Sequence, residues 1–157
     1  MNLSSVINHL AACLVQEIQF QQDNIAWTEA MEQAVQKNDS LEFEALVAKG
    51  AELCKRGDAA ARKRERLVSE LGKIWGVAAE ALTLGGVVRR VGPEGARLGE
   101  LRSELRTSIA TVMKRHRRLS ALIGMHSRIN GDVMQTMLGC DTQEQALEGG
   151  TLVNAEA

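Results

Sequence analysis

His9 and Cys13 stand four residues apart, a spacing that puts an imidazole and a thiol on one face of a helix. Both are metal-ligand types, and together they would supply half of a tetrahedral site. No further Cys or His lies near in sequence to complete it, so a half-buried polar pair is the expectation and no metal is assigned. His116, His126 and Asn130 share a seam further along, and two imidazoles there could form a pH-sensitive cluster. The plainer expectation is that they are satisfied core polar groups fixing helix register. Gly72-Lys73 and Gly85-Gly86 do not form a phosphate loop, because the G-x-x-x-x-G-K-[ST] spacing is absent and no strand precedes them. H-E-x-x-H, G-x-S-x-G and paired Cys/His arrangements are also missing. The residues therefore point to a non-enzyme with no cofactor.

The basic clusters are the next candidates. Arg62-Lys63-Arg64, Arg89-Arg90 and Arg115-x-Arg117-Arg118 fall in residues 55–128, which hold seventeen basic and seven acidic side chains. Residues 1–54 carry two basic and eight acidic ones, and residues 129–157 five acids and no base. The net charge of −1 thus hides a strong partition. Such a stretch can attract polyanions. Only Phe20, Trp27, Phe43 and Trp75 are aromatic, and none is interleaved with the arginines to stack bases, so no specific nucleic acid is expected. Solvated helix surface is the simpler reading.

The elements that position these residues are helical. With 157 residues, 45% of them apolar, the chain reads as one ordinary globular domain able to bury a core. One proline, four aromatics and an excess of Ala and Leu disfavour a sheet core. Three widely spaced cysteines (13, 54 and 140) make no disulfide framework. The start, MNLSSVINHL, has no basic, apolar leader, and no run of 18 apolar residues spans a membrane. A reduced, cytoplasmic protein is expected.

Apolar residues at 3, 7, 10, 14, 18, 25, 31 and 35 predict a helix over 3–37. Asn38-Asp39-Ser40 supplies caps for a second helix over 40–75. Its seam runs through Leu46, Gly50, Leu53, Gly57, Ala60, Arg64, Leu67, Leu71 and Ile74, the small residues allowing a neighbour close approach. Six glycines and Pro93 loosen 72–95, leaving a short helix near 83–91. Leu98, Leu105, Val112, Leu119, His126 and Val133 then recur every seven residues, with Ile109, His116, Ile123, Asn130 and Met137 as a second series. Two interleaved series predict a long helix over 96–138 in coiled-coil-like packing. Residues 139–157 read as a flexible tail, with Asp141-x-x-Glu144 able to cap one short helical stretch. The expected fold is all-α: an elongated, antiparallel up-down-up bundle of three long helices, with the basic stretch at one end.

Five segments read together: Ala34-Val35 with Asp39, Leu41, Leu46 and Leu53; Arg64-x-x-Leu67-x-x-x-Leu71-Gly72; Thr83-Leu84; Leu98, Leu101, Leu105, Leu119 and Asn130; and Thr151-Leu152-Val153-Asn154-Ala155. Together they resemble the FlgN-type flagellar export chaperone family. The resemblance covers nearly the whole chain and departs from the family at His116 and Ser120, where asparagines are frequent. It implies a cytoplasmic chaperone that holds the C-terminal helical segment of hook-associated proteins and delivers it to the flagellar export apparatus. It also implies a partner site in the C-terminal region. Here the candidates are Val133, Met134, Met137 and Leu138, followed by Leu147, Leu152 and Val153 in the tail. A structural adaptor or coiled-coil scaffold is the alternative.

Overall fold

The computed structural model describes residues 2–148; for Glu94 and residues 139–148 it describes the backbone alone. Among the described residues there is helix and no strand. The order is α1 (Leu3–Lys37), α2 (Ser40–Trp75), a 3-10 turn at Ala79–Ala81, α3 (Leu84–Val91), a second 3-10 turn at Gly92–Gly95, and α4 (Ala96–Glu148).

Local chemistry sets the boundaries where the sequence places them. Asn38 closes α1 in the left-handed conformation, its N–H donating to Ala34 and Val35 carbonyls. Asp39 opens α2 by accepting from the Glu42 N–H at 3.0 Å, satisfying one of the orphan amides of a first turn. Gly76, at φ +63°, ends α2, and Thr83 Oγ1 caps α3 by accepting from Gly86 N–H.

The far end of α4 departs from expectation. The helix continues ten residues past 138 to Glu148, so Asp141 and Glu144 lie inside it and no helix start exists there to cap. Of the expected tail, only 149–157 lie beyond the described residues.

The chain divides into two compact units, Met1–Leu119 and Ser120–Ala157. In the first, α2 folds back along α1, as the pairs Glu17–Arg64, Asp23–Arg56 and Trp27–Leu46 show. The core joins Val6, Leu10, Cys13 and Leu14 of α1 to Leu67 and Leu71 of α2, Val87 of α3, and Leu98 and Leu105 of α4. Residues of α4 also meet the other end of α1, through Glu29–Arg115 and a tilted Trp27–His116 ring pair 5.8 Å apart.

Gly50 and Gly57 do lie at close approach. A Cβ on Gly50 would sit 2.7 Å from the Trp27 ring, and one on Gly57 2.7 Å from the tip of Phe20. The α2 seam holds except at its end, where Ile74 is exposed and Trp75 packs on the core instead.

The second α4 series needs correction. Leu98, Leu105, Val112 and Leu119 are buried, but Ile109, His116 and Asn130 are exposed. The positions turned inward with the first series are Leu101, Ser108 and Arg115. The seam therefore steps by three and then four, one position earlier than apolarity suggested. Arg115 belongs there because Glu29 Oε1 lies 2.7 Å from its guanidinium. His116, His126 and Asn130 are thus not a buried register-fixing set; only His126 is half-buried.

Candidate partner-binding site

The second unit carries the candidate surface. Met125, Ile129, Val133 and Met137 recur every four residues of α4, at 49%, 51%, 52% and 65% exposure. A four-residue step drifts about 40° around the helix, so these four form one continuous stripe roughly 120° wide. Val133 and Met137 are therefore not core. They are the apolar stripe of an amphipathic helix that its own unit leaves open to solvent, the kind of surface that marks an interaction site.

Met134 and Leu138 are equally exposed but do not join this stripe. At 100° per residue they are turned about 120° and 160° from its middle. The four expected residues thus fall on separate faces of one helix. Leu147 lies in α4 with its side chain outside the described residues, as do Leu152 and Val153 entirely. Met125 and Ile129 were missing from the expectation. The four-residue step that links them to Val133 and Met137 was present in the sequence, hidden behind the seven-residue series.

Flexible, polarizable Met side chains at both ends of the stripe let it adapt to a partner's shape. Arg128 and Asp132 flank it, and both are exposed. Gly124 and Gly131 have open space where a Cβ would be, so they lower helix propensity without any packing return inside the chain.

The first unit holds a different cluster. The Cys13 thiol is buried and lies 3.9 Å from both Glu17 Oε1 and the Ala60 carbonyl. The Glu17 carboxylate is itself buried and paired with Arg64. Burial pushes the Glu17 carboxyl above its ordinary range, against the pull of Arg64, and burial likewise raises the Cys13 thiol. A raised thiol pKa disfavours thiolate, so Cys13 is a poor nucleophile and a poor ligand. His9 is exposed rather than half-buried, and Cys13 takes Glu17 as its polar neighbour instead. Among the described residues no group of three His, Cys, Asp or Glu could hold a metal ion.

The basic stretch is partly neutralised. All four acids of α1 meet an arginine of α2 or α4: Glu17 with Arg64, Asp23 with Arg56 at 2.9 Å, Glu29 with Arg115, and Glu32 with Arg118 at 3.6 Å. For these eight side chains, pairing along α1 replaces the expected separation into a basic end and an acidic end. The cavity of about 430 Å³ between Gln16, Gln19, Phe20, Arg56 and Lys63 has both its cations engaged, by Asp23 and by Gln16.

Compared with family models, with curated proteins and with solved structures, the chain matches none of them. Among the described residues no helix is long and apolar enough to cross a membrane.

Proposed function

We propose that this chain is a cytoplasmic export chaperone, holding the C-terminal helical segment of a flagellar hook-associated protein for delivery to the export apparatus. The observation that carries this reading is the exposed stripe of Met125, Ile129, Val133 and Met137. A helix stripe of this width is what an amphipathic partner helix covers when it docks by anchors spaced three and four residues apart. The FlgN-type resemblance supplies the class of partner. The proposal includes an up-down-up bundle of the three long helices as the platform. The five acids after residue 128 favour a partner segment with basic flanks.

The test is capture of a co-expressed hook-associated protein by the tagged full-length chain. Ile129→Asp with Val133→Asp should abolish capture, because a charge on the stripe must be desolvated on docking. Deleting residues 139–157 should also abolish it, while removing the helical signal of the last ten residues of α4. Undiminished capture by the double variant would overturn the assignment.

A further inference from the structure

The stripe has an internal symmetry. Around a point level with Gly131, Ile129 mirrors Val133, and Met125 mirrors Met137. Each mirrored pair is of one chemical kind, two branched aliphatics and two methionines. The flanking Arg128 and Asp132 lie on the same side of the stripe and carry opposite charges.

A two-fold interface asks for this pattern. In an isologous contact, residue i meets j and j meets i, so a surface must be complementary to its own reverse. An antiparallel pair of helices related by a dyad meets that condition only if apolar residues mirror each other and flanking charges meet their opposites.

We infer that the 125–137 segment of α4 pairs antiparallel with the same segment of a second copy of this chain. Ile129 then faces Val133 of the second copy, and Met125 lies level with its Met137. In such a pair the same flank of each helix meets its equivalent. Arg128, whose Nε donates to the Gly124 carbonyl at 3.3 Å in the single chain, falls within side-chain reach of Asp132 of the second copy once it exchanges that bond, about two residues or 3 Å from level, and the dyad repeats the ion pair. The open Cα atoms of Gly124 and Gly131 lie outside this contact, on the other side of the helix.

The interface is small, four apolar side chains from each copy and two exposed ion pairs in all, so the dimer is a reversible one. The second copy covers the same stripe that the proposed partner helix would use, and the two compete. The inference does not need that partner: it concerns the protein alone, and its failure leaves partner capture untouched.

The experiment uses the full chain with Cys54→Ser and Cys140→Ser, leaving the buried Cys13 as the one native thiol. One sample carries Ile129→Cys, the other Val133→Cys. A disulfide needs its Cα atoms within about 7 Å, which the antiparallel pair satisfies between 129 and 133 and not between like positions. Under mild oxidation the mixture should therefore accumulate cross-linked dimer well beyond either sample alone. Sedimentation of the wild-type chain at rising concentration should shift from 17.1 kDa toward twice that mass. Arg128→Asp should reverse the shift, and Arg128→Asp with Asp132→Arg should restore it. A chain that stays monomeric at all concentrations, or cross-links equally in every sample, overturns the inference and leaves the stripe to a foreign helix. Preferential links within the Ile129→Cys sample alone would make the pair parallel and overturn it equally.

Discussion

The indole Nε1 of Trp27 donates to the backbone carbonyl of Leu46 at 2.7 Å, pinning the ring of α1 across α2. That bond holds the ring over the bare Cα of Gly50 one turn further on, while the His116 ring of α4 lies tilted against it at 5.8 Å. One aromatic residue thereby ties three helices, in a chain with only four aromatics.

The anchor separates two glycines that look alike in sequence. Gly50→Ala places a methyl against a ring that cannot retreat without breaking its bond to Leu46. Gly57→Ala meets only the tip of Phe20, which can swing. Each substitution gains about 1 kcal/mol of helix propensity. We expect Gly50→Ala to lower the melting midpoint despite that gain and Gly57→Ala to leave it equal or raised. Leu at position 50 should cost about 1–3 kcal/mol or more through overpacking. Thermal melts of the three single variants decide this.

The buried Glu17 gives a pH dependence. Its carboxyl is raised in the folded chain, chiefly by burial, so the folded state holds the proton more tightly than the unfolded state does. The stabilisation is complete below the ordinary carboxylate range and is lost as pH rises through the raised value. Glu17→Gln mimics the protonated form at every pH. The stability of wild type relative to Glu17→Gln should therefore fall as pH increases from about 4 toward neutrality. Urea melts at several pH values read it; a relative gain with rising pH would mean that attraction to Arg64 outweighs burial.

Exposure of the α4 stripe separates binding from folding. Ile129→Ser and Met137→Ser remove no buried contact, so each should shift stability by less than about 0.5 kcal/mol. Leu105→Ala, in the core, should cost about 2–5 kcal/mol. Parallel denaturant titrations of the three variants check both expectations.

Pairing along α1 restrains the basic stretch. We expect weak, sequence-independent binding to polyanions that collapses with added salt. Glu29→Gln with Glu32→Gln frees Arg115 and Arg118, and should move elution from a heparin column to higher salt. An unchanged elution position would show that those arginines were already available.

The helix ends were legible in the sequence because they are local. Asn38 donates to carbonyls, and Asp39 and Thr83 accept from amides, all within three or four residues, and any neighbour the fold supplies leaves those bonds intact. Leu98, Leu105, Val112 and Leu119 were legible for a related reason: a seven-residue apolar repeat has one face to bury. The overrun of α4 to Glu148 was not legible, since 139–148 has little apolar periodicity and nothing local that stops a helix.

Tertiary structure decided the rest. Whether Ile109 and His116 or Ser108 and Arg115 turn inward depends on about 100° of helix rotation, which α4 alone does not fix. Neighbouring side chains fix it: Glu29 takes Arg115, and the Trp27 ring takes the tilted His116 ring beside it. The candidate site divides the same way. Val133, Met134, Met137 and Leu138 were visible as apolar residues, yet which of them share a stripe follows from the helix continuing unbroken through Met125 and Ile129. Composition tells which side chains seek cover, but only the packed neighbours determine which of them receive it, because burial is a property of the pair and not of the residue.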